Sequence, residues 1–240
     1  MTRPLSRSRL CLPEFDSRLG MYRLAATAAG VSLVALIQPA EGKIIYTKSN
    51  RSILPNGTLR IDLNHDGIAD FVLKDPRSTS TAGGSFNQLS AAPAHARNGV
   101  WGHTNTFTAY ASALSANVRI GPKGQFLKKS GLMAASSVSG GVHRDGNFSC
   151  TGPWANVQNR YLGLKFQIKG KTHFGWARLS VACSAGNVSI DGTLTGYAYE
   201  SVANKSILTG KEHGADDADA SGSAATLGHL AQGAVARQRR

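Results

Sequence analysis

The sequence lacks any hydrophobic run long enough to cross a membrane. Its longest apolar stretch, Leu24 to Ile37, has fourteen residues, several of them alanine, whereas a bilayer core of about 30 Å requires about twenty. Internal repeats at solenoid periods are also missing, which excludes a repeat protein. With 240 residues, 41% of them apolar, the chain suits one domain of moderate size flanked by dispensable ends.

The short apolar run has the surroundings of a secretory signal peptide. It follows Met21 and Arg23 and ends in Gln-Pro-Ala-Glu-Gly, so that small residues precede the cleavage point if cleavage follows Gly42. We therefore predict a signal region over residues 1–42 and a secreted, extracellular protein. Residues 1–20 are polar and contain two prolines, which favours Met21 as the true start; a long leader is the alternative.

Cysteine is scarce, and its placement agrees with export. Of the three cysteines, Cys11 lies in the region predicted to be removed, which leaves Cys150 and Cys183 as a pair. Two isolated cysteines lack the spacing of a zinc site, and an oxidising compartment favours a bridge between them. We predict this disulfide, and closing a loop of about thirty residues stabilises a fold by roughly 3 to 4 kcal/mol.

Signatures of catalysis are also missing. The sequence has no nucleophile beside a base, no zinc signature and no phosphate loop, and the histidines at 95, 103, 143 and 173 lie in four separate segments. A glycosidase pair would have to come from Asp75, Asp145, Asp191 and Glu200. The odd spacing of Asp191 and Glu200 predicts that they lie on opposite faces of a strand. We predict no catalytic residue and favour a binding or structural role over an enzyme.

The most regular pattern lies between residues 160 and 200 and predicts three consecutive antiparallel strands. Lys169-Gly170-Lys171 has the composition of a tight turn between the first two strands, and Ser-Ala-Gly-Asn at 184–187 turns the chain again. An amphipathic sheet of this kind needs a second layer over its apolar face. The predicted strands are Tyr161–Ile168, Thr172–Ala182 and Val188–Tyr199.

Two motifs in this region carry a family resemblance, HFGWARL at 173–179 and LTGYAYE at 194–200. They resemble the C-terminal half of a group of exported bacterial proteins, many with a PEP-CTERM sorting tail and without an assigned activity. The resemblance is close over residues 152–210 and looser elsewhere, and it implies a secreted β-sandwich. Trp176 and Tyr197 are predicted to pack in the core, since large aromatics on strands usually bury area; a binding face is the alternative.

The one chemical motif is the nine-residue segment from Asp62 to Asp70. Oxygen-bearing side chains at positions 1, 3, 5 and 9, with glycine at position 6, are what Ca²⁺ requires from a tightly curved loop. The predicted ligands are Asp62, Asn64, Asp66, the carbonyl of Ile68, and Asp70. The twelfth position is Leu73 instead of the glutamate of an EF-hand, so we predict a structural calcium loop between strands. The alternative is an Asx-rich turn without a metal.

The rest of the body has weaker signals. Short strands are predicted at 43–47, 99–111, 117–120, 126–127 and 147–150, and the Ser/Ala-rich stretch 77–97 is expected to be a surface excursion or a short helix. The resulting prediction is an antiparallel, jelly-roll-like β-sandwich with long loops over residues 43–210. Residues 211–240 are expected to form a flexible tail that ends in a degenerate, sorting-like segment too short to span a membrane.

Positive charge is the only guide to partners. Residues 43–210 contain 18 Lys and Arg against 7 Asp and Glu, a net charge of +11. Such a surface favours anionic polysaccharide or another cell-surface polymer, and the scattered basic residues lack the pattern of a specific nucleic-acid module. We predict a secreted structural or binding module of the bacterial cell surface or matrix. The alternative is a carbohydrate-active enzyme of sandwich fold.

Overall fold

The structure is a computed structural model that describes residues 42–79, 84–138, 147–186 and 188–214. These ranges belong to the second of two compact units, Gly42–Arg240. The predicted signal segment as far as residue 41, the tail from 215 onward, and His143 and Asp145 lie outside the described residues.

The described residues form β-strands and no helix, which confirms the predicted all-β fold. The strands are β1 Ile44–Ile53, β2 Thr58–Ile61, β3 Phe71–Lys74, β4 Arg77–Thr79, β5 Ser85–Pro93, β6 Gly99–Thr104, β7 Ala109–Ala111, β8 Arg119–Ile120, β9 Phe126–Leu127, β10 Gly131–Val138, β11 Phe148–Thr151, β12 Val157–Ile168, β13 Lys171–Ser184, β14 Ser189–Glu200 and β15 Ile207–Leu208.

The strands form two layers that are joined at one corner. The first sheet has the order β1-β14-β13-β12, and the second has the order β7-β10-β5-β3-β2. Strand β6 belongs to both, because Val100 pairs with β12 and Gly102 pairs with β7. A strand that changes sheets in this way forms the corner of a sandwich. This arrangement confirms the predicted β-sandwich.

The predicted hairpin is formed by β12 and β13, which are both longer than predicted. Ile168 pairs with Lys171, and the two residues between them, Lys169 and Gly170, have φ angles of 48° and 77°. Two consecutive positive φ values match the right-handed twist of the flanking strands. Because the register is fixed at this turn, the inward side chains of β12 remain aligned with those of β13 from Ile168 back to Arg160, where the register shifts.

The expectation for residues 77–97 is wrong. This stretch contains β4 and β5, and β5 is a central strand of the second sheet. Asn87, Leu89 and Ala91 alternate inward along it and are fully buried, but their small and polar neighbours hide the two-residue period. Strand β10, also rich in Ala and Ser, escaped prediction for the same reason.

The space between the two sheets contains the main hydrophobic core. Phe71, Trp154 and Phe166 are its largest members. A second cluster, which includes Phe174 and Trp176, lies on the outer face of the first sheet beneath the small β8–β15 sheet. Both Trp176 and Tyr197 are buried, at 0% and 7% exposure, which confirms that they pack in the interior.

The two sheets are also joined covalently. Cys150 on β11 and Cys183 on β13 form a disulfide, with their Cα atoms 6.4 Å apart, a separation typical of disulfides. The predicted pairing is therefore the one that the structure contains. Residues 211–214, which composition assigned to the tail, also lie against the first sheet, where Glu212 pairs with Arg178 at 2.9 Å.

A polar cluster lies inside this core. Asp75, Asn87 and Ser136 are fully buried, and their side-chain oxygens lack hydrogen-bond partners among the described residues. Asn87 is the register partner of Ser136. Burial raises the pKa of Asp75 to about 6, and the nearby Asn87 amide offsets this only in part. Ionised Asp75 therefore opposes folding.

Asp75→Asn should change how stability depends on pH. Because the folded pKa lies above the ordinary value of about 3.8, the wild type loses stability as pH rises from about 4 to 6 and then levels off. A shift of two pKa units corresponds to about 3 kcal/mol. The variant should lack this contribution and keep the separate loss that comes from Asp70, whose pKa is also raised to about 6. Denaturant melts between pH 4 and 8 measure it, with Glu212→Gln, which removes a carboxylate that pairs with Arg178, as the control. Equal pH profiles for wild type and Asp75→Asn would contradict the assignment.

Candidate metal centre

The predicted calcium loop connects β2 to β3 at the edge of the second sheet. Its ends are joined by a hydrogen bond from the Asp70 amide to the Ile61 carbonyl, 2.8 Å long. His65 and Gly67 have φ angles of 59° and 87°, and these two positive values curve the chain back on itself. Glycine at position 67 adopts such a conformation without strain.

Asp70 is the anchor of the loop. Its side chain is buried, and Oδ2 accepts a hydrogen bond from the Leu63 amide at 2.9 Å. Its carbonyl accepts bonds from the Ala94 amide and the Asn98 side chain. Burial raises the pKa of Asp70 to about 6; the bond from Leu63 opposes the increase, and the neighbouring loop carboxylates add to it. A cation beside this group would remove that penalty.

Asp62 and Asp66 accept hydrogen bonds from other residues of the loop. Asp62 Oδ2 accepts a bond from the Gly67 amide at 2.8 Å. Asp66 accepts from the Asn64 side chain at 2.9 Å and from the Ile68 amide at 2.8 Å, and these bonds lower the pKa of Asp66. The loop is therefore folded around its own carboxylates.

Two oxygens within the loop lack a partner. Asp62 Oδ1 and Asn64 Oδ1 are both buried and accept no hydrogen bond from the described residues. A buried acceptor without a donor costs roughly 1 to 3 kcal/mol. These atoms belong to positions 1 and 3 of the predicted calcium motif, so the two unsatisfied acceptors belong to side chains that the motif assigns to the cation.

The three carboxylates do not converge on one point. Within the described ranges no group of three or more His, Cys, Asp or Glu side chains is close enough to hold a metal ion. The donor types, all oxygen, fit a hard cation such as Ca²⁺. The hydrogen bonds seen here are those of an Asx-rich turn.

The loop also contacts the opposite sheet, which the sequence did not reveal. Leu63 is buried against Gly175 of β13, where an added Cβ would lie 2.8 Å from the leucine side chain. His65 Nε2 lies 2.9 Å from Thr47 Oγ1, and its ring lies 5.8 Å from that of Tyr197. A loop that belongs to the second sheet is thus seated on the first.

The prediction that Asp191 and Glu200 lie on opposite faces is wrong. A β-bulge at Thr195 adds one residue to β14 opposite the junction of Arg178 and Leu179, and this shift places both acids on the outer face. Nine residues of strand still separate them by about 27 to 30 Å, too far for a glycosidase pair.

The histidines do not form a site in the described part of the chain. His173 is buried and bonds the Glu200 carbonyl through Nδ1 at 2.9 Å, so it connects two strands. His95 and His103 are exposed. A groove of about 460 Å³ on the outer face contains Asp191 among polar neighbours such as Gln158, Ser180 and Thr193. It supplies one carboxylate and no second acid.

Comparison of the chain with protein-family models, with curated proteins and with solved structures gave no match. Within the described residues no helix has the length and apolar character needed to cross a membrane.

Calcium should raise the melting temperature of the wild-type protein. At ten times the dissociation constant, binding to the folded state contributes about 1.4 kcal/mol, or a few degrees. Asp66→Ala should abolish this gain, because it removes a ligand from an exposed position, while Asp191→Ala should retain it. Thermal melts in calcium and in chelator compare the three proteins. Identical wild-type melts in both conditions, with no heat in a calcium titration, would leave only the metal-free turn.

Proposed function

We propose that this chain is an exported all-β module of the bacterial cell surface or extracellular matrix, stabilised by calcium and able to bind anionic polysaccharide. Export is supported by the signal-like segment that ends at Gly42, by the Cys150–Cys183 bridge and by the resemblance to exported proteins of the PEP-CTERM type. A disulfide of this kind is characteristic of an oxidising compartment.

The observation that carries the calcium role is the pair of unsatisfied oxygens on Asp62 and Asn64. An extracellular module works in millimolar calcium, for which dissociation constants of about 10⁻⁴ to 10⁻³ M suffice. Because Leu63 and His65 of the same loop contact the first sheet, an ion held here would stabilise the contact between sheets. The proposed role is structural, with no part in catalysis.

A lysine patch supports the polysaccharide partner. We define it as Lys128, Lys129, Lys165, Lys169 and Lys171. Lys165 is the register partner of Gly99 on β6, and Lys128 follows Leu127, whose partner is Val100 on the same strand. Lys128 and Lys165 therefore lie two strand spacings apart, about 10 Å. Only Gly99 lies between them.

This spacing suits a chain of anionic sugars. The Lys165 ammonium lies 5.1 Å from the centre of the Phe126 ring, so the patch combines positive charge with an aromatic edge. In the described residues most acids lie in the calcium loop, in the core or in ion pairs. Sulfate or carboxylate groups would meet little local repulsion.

Replacing two lysines of the patch should weaken polysaccharide binding more than replacing two others. Lys128→Gln with Lys165→Gln removes charge from the patch, whereas Lys48→Gln with Lys74→Gln removes the same charge from exposed positions on β1 and β3. On an immobilised acidic polysaccharide, the patch variant should elute at clearly lower salt than the control. Equal shifts would mean that net charge alone governs binding, and an unretained wild type would contradict the proposed partner.

A further inference from the structure

A buried carboxylate lies where the described chain begins. Glu200, at the end of β14, is 3% exposed. Oε1 accepts a hydrogen bond from the Val202 amide at 3.0 Å, and Oε2 lies 3.5 Å from the half-exposed Lys205 ammonium. One amide and one distant ammonium are a small set of partners for a buried charge, which is costly unless it is well paired.

The backbone around Gly42 and Lys43 is fixed against this carboxylate. The Lys43 amide donates to Ser201 Oγ at 2.9 Å, and the Ser201 amide donates to the Lys43 carbonyl at 2.9 Å. Gly42 lies against the Glu200–Lys205 pair, because a Cβ added there would overlap the Lys205 ammonium and would be 2.5 Å from Glu200 Oε1. Gly42, which is bonded to the Lys43 nitrogen, therefore occupies the space beside Glu200.

We propose that Glu200 and Ser201 form a binding site for the α-ammonium group of a processed chain that begins at Lys43. The inference rests on the export that is part of the proposed function. An exported-protein signal peptidase hydrolyses the Gly42–Lys43 bond: water supplies the hydroxyl for the Gly42 carboxylate, and the Lys43 nitrogen becomes an ammonium. Removal of Gly42 clears the space beside Glu200 Oε1. An N–H bond of the new ammonium can then occupy this space.

The charges around this site favour one new cation only next to the carboxylate. The cavity beneath Gly42, about 300 Å³, also contains Arg119 and Lys211, which repel a cation away from the carboxylate, whereas Lys205 already pairs with Glu200 Oε2. Ser201 Oγ retains one N–H of the ammonium, and Glu200 Oε1 accepts another. Docking in this way completes the pairing of the buried acid and fixes the residue that precedes β1.

The test uses the full chain, exported from a bacterial host and purified after processing, with its first residue mapped by mass spectrometry. The α-amino group is then labelled with an amine reagent at pH 7 in wild type, in Glu200→Gln and in Glu212→Gln. Glu212 pairs with Arg178 elsewhere on the sheet and provides the matched control. A carboxylate partner that raises the α-amino pKa by one unit slows labelling about tenfold.

The expected result is slow labelling in wild type and Glu212→Gln, and labelling about tenfold faster in Glu200→Gln. If Glu200→Gln does not fold, Ser201→Ala replaces it and should also accelerate labelling. Equal rates in all variants would overturn the ammonium site even if export succeeds. A first residue other than Lys43 would overturn the processing point, and absence of any exported form would instead contradict the proposed function.

Discussion

The carboxylate of Asp70 is the interaction on which the edge of this sandwich depends. It accepts the Leu63 amide, while its own main chain bonds Ile61, Ala94 and Asn98. Those bonds connect the loop to β2 and to the segment before β6. Because the side chain is buried and its pKa is raised to about 6, this anchor carries an electrostatic cost that a nearby cation would relieve.

The Asp70 carboxylate holds Leu63 in place through the Leu63 amide, and the Leu63 side chain contacts the other sheet. Its contact at Gly175 lies near one end of β13, and the disulfide at Cys183 lies near the other. Eight residues of strand, about 27 Å, separate the two connections. The core around Leu162, the register partner of Ala177, and Leu179 lies between them. The sheets are therefore held together by a bridge at one end and by the acidic loop at the other.

Local patterns in the sequence predicted the parts of this arrangement that depend on neighbours along the chain. The β12–β13 turn followed from Gly170, and the loop followed from the spacing of its acids. Strands β5 and β10 were missed because alanine and serine occupy inward positions such as Ala91 and Ser136, so hydrophobicity does not alternate. The bulge at Thr195 was also missed, since it depends on pairing with Arg178 across the sheet.

The contacts of the loop with the first sheet could not be predicted from the sequence, because they also depend on contacts between distant segments. Leu63 and Gly175 are more than a hundred positions apart, and neither is unusual in its local segment. Asn98, which bonds the Asp70 carbonyl, gave no signal either. The spacing of residues along the chain predicts which side chains share a turn. Packing between distant segments decides which of them are buried, and burial gives an ionised group a free-energy cost.

Native-state hydrogen exchange with and without calcium tests the central claim most directly, because it reports stability amide by amide. If the loop holds calcium and fastens the two sheets, the ion should slow exchange in the loop and also across β13 and β14 near Gly175 and Tyr197. Amides near Cys183, where the disulfide already joins the sheets, should change little. Slowing confined to the loop, or no change anywhere, would contradict the account.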